Sequence, residues 1–331
     1  MERVQAGGQG SNPSPSNDHI GQPSRELNHS YSIGNRNSNI RDQKFGNSPA
    51  LVPSAFMSGF DLHTHSDCSD GTLPPERVAL LAAERGLTGI ALTDHDTTAG
   101  LDRARAATRA VEILAGCELS AEHEDNPVHV LAIGFDPEEP AFAEVRRTIR
   151  AERVERARRT VERLAELGAE VSFDRVLALA GEGAAVGRPH IAAAMAEAGV
   201  VPDADAAFSL DWIGTGGRAY VPKQAVTPVR AVELIRAAHG VAVLAHPSVH
   251  AGAKAVPEAL IRAMAAAGLA GLEVDHPDQD ADARARWRTL AGELGLAVTG
   301  GSDDHGGRSG YRMGVERTPD EALRALLERA V

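Results

Sequence analysis

From Phe60 onward, short apolar runs alternate with segments whose apolar residues recur every three or four positions. Runs at 89–92, 112–115, 128–132, 241–245, 270–274 and 296–299 have the length of strands. Helical patterns occupy 74–86, 98–110, 229–239, 257–267, 280–294 and 320–330, the first opened by Pro74-Pro75-Glu76. Repetition of strand then helix predicts a parallel β/α arrangement. Residues 137–228 break this rhythm. Helical patterns at 140–167, 173–180 and 189–198 lead there into a loop containing Trp212 and Tyr220. This stretch is expected to be a mostly helical insertion that caps a barrel.

Composition changes the picture at one boundary. Residues 1–58 hold seven asparagines and 59–331 only Asn126. The first segment is rich in Ser, Gly, Pro and Asn and lacks apolar periodicity, so a disordered leader is expected. Met57 directly precedes the first strand pattern, which makes it a candidate for the natural start. The globular domain is expected over 59–331. Two cysteines, Cys68 and Cys117, are too few for a disulfide framework and point to a reducing cytoplasm. No run approaches the roughly 18 apolar residues of a membrane helix. A net charge of −12 argues against a general coat for duplex nucleic acid. Bound metal ions could still invert the charge of a local site.

The chemistry gathers at strand ends. His63 and His65 lie one residue apart on a strand pattern, so they share a face, and Asp70 follows on the next loop. His95 follows the next strand, in Thr93-Asp94-His95-Asp96. Glu118 lies in Gly116-Cys117-Glu118, and His129 within a strand. His246 lies in Ala245-His246-Pro247, and Asp303 and His305 in Gly301-Ser302-Asp303-Asp304-His305. In barrels of parallel strands this end carries the active site. Nine imidazoles and carboxylates without a thiolate suit Mn²⁺, Fe²⁺ or Zn²⁺. Three divalent ions (+6) against Asp70, Glu118 and Asp303 (−3) would leave the site positive and suited to phosphate. Paired metals activate water for in-line displacement at phosphorus.

As a set, these motifs resemble the polymerase-and-histidinol-phosphatase (PHP) phosphoesterases. The resemblance covers about 60–306 and implies a distorted seven-stranded β/α barrel with three metal ions, Mn²⁺ foremost. It implies that His63, His65, Glu118 and Asp303 hold one ion, and Asp70, His95 and His305 a second. Glu118 would bridge to a third, held with His129 and His246. Within the insertion, Gly187-Arg188-Pro189-His190 and Arg218-Ala219-Tyr220-Val221-Pro222 are similar to the nucleoside 3′,5′-bisphosphate phosphatases and 5′-to-3′ exoribonucleases. That branch implies a small nucleotide or short RNA as substrate, with its phosphates held by the insertion. Arg188 is the foremost phosphate clamp, because a guanidinium grips phosphate bidentately. His190, Arg218 and Lys223 are further candidates, and Asp70 and His305 are expected to be essential for turnover.

Blander readings apply to other residues. Asp94 and Asp96 could cap the following helix, and Asp94 could instead orient a ligand. His276, also at a strand end, could be a general acid or support a ligand, but a polar loop residue is expected; Glu273 could support a ligand. The eight arginines of 146–163, interspersed with Glu152, Glu155 and Glu162, are expected to form a solvated helix face. A histidinol-phosphate-type phosphatase is the alternative enzyme. A metal-stabilised nucleotide-binding module without turnover is the alternative of another class.

Overall fold

The strand–helix rhythm folds into a barrel. The computed structural model describes residues 58–331, apart from 125, 182–184, 223–225, 249–253 and 331. The leader expected over 1–58, with a start at Met57, therefore falls up to residue 57 outside the described residues, as does Lys223. Among the described residues, seven strands follow one another in sheet order: β1 (Phe60–Thr64), β2 (Gly89–Leu92), β3 (Glu112–His123), β4 (Asn126–Ile133), β5 (Val241–Leu244), β6 (Gly271–Asp275) and β7 (Ala297–Gly300). Bridges from Thr64 to Asp304 and from Phe60 to Thr318 draw the two ends of the sheet together. Helices α1 (Pro75–Glu84), α2 (Leu101–Ala107), α6 (Pro228–Ala237), α7 (Glu258–Ala266) and α8 (Ala281–Leu294) supply most of the crossovers, and α9 (Asp320–Leu327) ends the fold. Many of their apolar faces join the strands in one core that includes Val78, Ile90, Leu119, Ile235, Leu272 and Trp287. No helix among the described residues is long and apolar enough to cross a membrane.

One strand departs from the parallel expectation. β1 to β3 and β5 to β7 pair in parallel, but β4 is antiparallel to both of its neighbours. Only two residues separate β3 from β4, and a parallel crossover needs a dozen or more. The two strands must therefore form a hairpin, in register from Gly116 opposite Ile133 to His123 opposite Asn126. This reversal brings the start of β4, with His129, to the end of the barrel where the parallel strands finish. It also carries β3 on through Glu118, which lies inside the strand rather than beyond it. By the two-residue period, Leu114 shares a face with Glu118, and Leu131 with His129. Leu114 and Leu131 pack with Val243, Leu323 and Leu326 in a separate apolar cluster. The same strand faces are thus oily at one end and ionisable at the other.

Between β4 and α6 lie α3 (Pro140–Glu166), α4 (Phe173–Ala180), α5 (Arg188–Glu197) and a short 3₁₀ turn, Asp205–Phe208. They have a core of their own, including Leu164, Val176, Ile191, Met195 and Ile213. The first turns of α3 instead join the barrel core through Phe142 and Ile149. Arg146 latches that part of the helix. Its guanidinium is buried against the Phe135 and Phe142 rings, 5.5 and 5.1 Å from their centroids. It donates to Thr98 Oγ1 at 2.8 Å and to the Pro137 carbonyl. Arg146→Met should therefore cost about 2 kcal/mol and lower the thermal midpoint by roughly 4–8 °C. An unchanged midpoint in a calorimetric scan would show the latch to be dispensable.

Candidate metal and phosphate site

The barrel mouth is organised around Glu118. Its Oε2 lies 3.3 Å from His63 Nε2, 3.2 Å from His65 Nε2 and 3.0 Å from His95 Nδ1. Its Oε1 lies 2.7 Å from His129 Nδ1 and 3.1 Å from His246 Nε2. Asp303 Oδ1 lies 3.4 Å from His63 Nε2 and 3.2 Å from His65 Nε2. Asp70 Oδ1 lies 3.1 Å from His305 Nε2 and 3.8 Å from His95 Nε2. All nine residues singled out by motif are thus brought together. Their donor atoms form sets within 4.8 Å: His63, His65, Glu118 and Asp303; His65, Asp70, His95 and His305; and His95, Glu118 and His129. His246 falls in a further set with His63 and Glu273.

The donor chemistry fits divalent ions. His63 Nε2, His65 Nε2, Asp70 Oδ1 and His95 Nδ1 are buried and, despite these short contacts, make no well-aligned hydrogen bond among the described residues. Polar atoms in that position are costly unless an electrophile satisfies them. Nitrogen and carboxylate oxygen without thiolate match Mn²⁺, Fe²⁺ or Zn²⁺. The backbone is also constrained here: His246, Asp303 and Asp96 adopt φ of 22°, 49° and 56°. Such conformations persist only where the surroundings enforce them.

A surrounding shell orients these donors. Glu273 Oε1 lies 3.0 Å from His63 Nδ1, and its Oε2 accepts from the His246 backbone N–H at 2.8 Å. Asp94 accepts from Ser66 N–H, Ser66 Oγ and Ser69 Oγ at 2.6–2.7 Å, which shapes the loop between His65 and Asp70. It caps no helix: α2 starts after Gly100. Asp96 is likewise no cap and binds Arg153 instead. His276 is no ordinary polar loop residue. It is fully buried, with Nε2 3.4 Å from Asp303 Oδ2 and its ring against His63 and His246. Asp61, which the motif reading passed over, accepts from the N–H groups of His63, Ser302 and Gly314. It thereby ties β1 to the loop bearing Asp303 and His305, and burial pushes its carboxyl up to about 6. Its place two residues before His63, on the same strand face, was the available signal.

Beside the donors opens a cleft of about 300 Å³, lined by Asp70, His95, His129, Arg153, Arg156, Arg188 and Tyr220, among others. Arg188 reaches it from the first turn of α5, between the Phe208 and Tyr220 rings at 5.9 and 5.8 Å. His190 Nδ1 accepts from Gly187 N–H at 3.0 Å and caps α5. Arg218 is exposed and does not line the cleft. The solvated face expected for 146–163 holds only in part. Arg147, Arg158 and Arg159 pair with glutamates on the same helix. Arg146 is buried and Arg156 half-buried, and Arg153 and Arg156 line the cleft. Helical periodicity could have placed 146, 153 and 156 on one face; charge composition alone concealed it.

Comparison with known proteins agrees with this geometry. A family profile described as PHP domain matches residues 61–185. A 3′,5′-nucleoside bisphosphate phosphatase from Chromobacterium violaceum is 36% identical over 258 residues, covering 77% of this chain and 90% of the relative. The chain belongs to the PHP family. As a PHP phosphoesterase it is a hydrolase of phosphoric ester bonds, built on the distorted barrel of that family. A 5′-3′ exoribonuclease from Haemophilus influenzae is 34% identical over 249 residues, covering 74% of this chain and 89% of the relative. A Bifidobacterium adolescentis protein assigned as a metal-dependent phosphoesterase superposes with a TM-score of 0.77 at 36% identity. That match covers 83% of this chain and 97% of the other.

The electrostatics of the PHP cluster give a pH prediction. Burial disfavours the His65 cation, but Asp303 and Glu118 outweigh it and raise its pKa to about 10. His63 is also raised, burial being overcome by Glu273, Asp303 and Glu118. Glu118 is held well below its usual range, its burial overcome by His95, His129 and His63. In the metal-free protein the extra proton on folded His65 stabilises fully below about pH 6.5, the unfolded value. That stabilisation is lost as pH rises through about 10. The metal-free thermal midpoint should therefore fall between those limits. Saturating divalent metal should remove the fall, because metal displaces the protons. A metal-free midpoint that rises with pH over this range would show the imidazoles to be neutral.

Proposed function

We propose that this PHP phosphoesterase hydrolyses a nucleotide ester whose substrate carries a second phosphate: a nucleoside 3′,5′-bisphosphate or the 5′ end of a short RNA. The observation that carries the reading is Arg156. Its guanidinium is half-buried, lines the cleft, and makes no ion pair among the described residues. Burial, then Arg153 and Arg188, push its pKa down to about 10. A cation withdrawn from water without a counter-charge is costly, and a bound phosphate would offset that cost. Arg153 and Arg188 flank the same space, and Asp70, His95 and His129 face it from the donor cluster. One cleft lined by both arginines and donors thus suits a molecule with two phosphates. The activities of the C. violaceum and H. influenzae relatives support the same class.

In this reading His63, His65, Asp70, His95, Glu118, His129, His246, Asp303 and His305 hold three divalent ions, with Mn²⁺ the best match. When bound, the ions supply a water acidic enough to attack at neutral pH and charge to offset that developing on the phosphoryl oxygens. Arg188, Arg156 and Arg153 grip the phosphate that does not react and so place the one that does. Phe208 and Tyr220 keep the Arg188 fork in place. Both cysteines are free, in keeping with a reducing cytoplasm.

The test is phosphate release by the Mn²⁺-loaded protein. Substrates would be adenosine 3′,5′-bisphosphate, a short 5′-phosphorylated RNA and histidinol phosphate, with Asp70→Ala as control. Release from either of the first two, abolished by Asp70→Ala, is expected. Arg156→Met should raise their KM about tenfold to a hundredfold, the size of a lost charged hydrogen bond. Turnover of histidinol phosphate alone would overturn the reading.

A further inference from the structure

Arg153 is held differently from its two neighbours in the cleft. Its Nε donates to Asp96 Oδ2 at 2.7 Å, and its Nη2 donates to Ser120 Oγ at 2.6 Å. The Ser120 hydroxyl donates in turn to Asp96 Oδ2 at 2.9 Å, and the Ser120 N–H donates to Asp96 Oδ1 at 2.7 Å. The three side chains close a ring that leaves Nη1 as the end of the guanidinium without a hydrogen bond among the described residues. Nη1 lies 3.9 Å from where a β-carbon on Gly187 would stand, at the start of α5, so it faces the side of the cleft that carries Arg188.

Asp96 is itself over-determined. It is fully buried and holds a left-handed φ of 56°. Its N–H donates to the Glu118 carbonyl at 3.1 Å, and its carbonyl accepts from Arg150 Nη1 at 2.8 Å. It directly follows His95, which faces both Glu118 and Asp70. One loop therefore fixes a donor of the metal cluster and, one residue later, an arginine of the phosphate cleft. The Asp96 carboxylate also neutralises one of three crowded guanidiniums and leaves Arg156 and Arg188 for an external anion. Nothing about Asp96 alone suggests this role; at the level of sequence it is one more acidic residue after a histidine.

We infer that Asp96 is a positioning residue that, through Arg153 and Ser120, sets the distance between the two phosphate positions and so selects substrates carrying a second phosphate. The inference rests on the proposed two-phosphate substrate. That reading is checked first, on the wild-type protein with adenosine 3′,5′-bisphosphate and adenosine 3′-monophosphate. If the bisphosphate is hydrolysed, Asp96→Asn should raise its KM about tenfold to a hundredfold and change kcat less than about threefold. The KM for the monophosphate should shift far less. Arg153→Met should have the same signature, and the double variant should be no worse than Arg153→Met alone, because Asp96 acts through Arg153. Should Asp96→Asn fail to fold, Ser120→Ala removes only the bridging hydroxyl. It should then raise the bisphosphate KM about threefold to tenfold while sparing the monophosphate. Additive effects in the double variant, or equal losses on both substrates, would overturn the inference. If the wild type hydrolyses neither the bisphosphate nor a short 5′-phosphorylated RNA, the two-phosphate reading fails. The coupling is then read from calorimetric binding of inorganic sulfate, where equal affinity in wild type and Asp96→Asn would overturn it.

Discussion

A carboxylate taken out of water stays ionised only where positive charge surrounds it, and Glu118 is the point where this fold meets that constraint. It is buried at the barrel mouth within 3.3 Å of nitrogen atoms on five histidines. Those histidines come from β1, the loop after β1, the loop after β2, β4 and the segment after β5. Five consecutive strands, β1 to β5, are needed to assemble this ring. Closure of the barrel then adds Asp303, after β7, which reaches His63 and His65 at 3.4 and 3.2 Å. The supporting shell follows the same logic. Asp61 pins β1 to the 302–314 segment, and Glu273 holds His63 from one side and the His246 backbone from the other.

The antiparallel β4 is the topological price of that arrangement. A uniformly parallel barrel would start its fourth strand at the far end and carry a residue such as His129 away from Glu118. A two-residue connection forbids the crossover, and the hairpin places His129 across the strand pair from Ser120, one step along from Glu118. Leu114 and Leu131, on the same faces, join an apolar cluster with α9. The ionisable end thus rests on a packed base that resists rearrangement.

The helix α3 joins the two halves of the molecule. Its first turns belong to the barrel core and its last turns to the core of the inserted helices. Between them, Arg146, Arg150 and Arg153 reach Thr98, the Asp96 carbonyl and the Asp96 carboxylate. These three contacts fall on the loop that follows His95. The wall of the cleft and the donor cluster are therefore referenced to the same few backbone atoms. This is how a site built from two cores can hold fixed dimensions.

The sequence by itself determined the alternation of strands and helices and the nine donor residues, because periodicity and the spacing of His, Asp and Glu are local properties. The helices at 140–166 and 173–180 were equally legible, since a long amphipathic or charged repeat needs no partner to be recognised. What lay beyond reach were properties of pairs far apart in the chain. His276 looked more like a loop residue than a supporting group until the fold packed it against Asp303, and Arg156 looked solvated until α5 and Tyr220 shielded part of it. Asp94 and Asp96 looked like helix caps, yet their partners are Ser66 and Ser69 in one case and Arg153 and Ser120 in the other. Only the tertiary structure decided these, because burial, ion pairing and the direction of β4 depend on which distant segments closure of the barrel brings into contact.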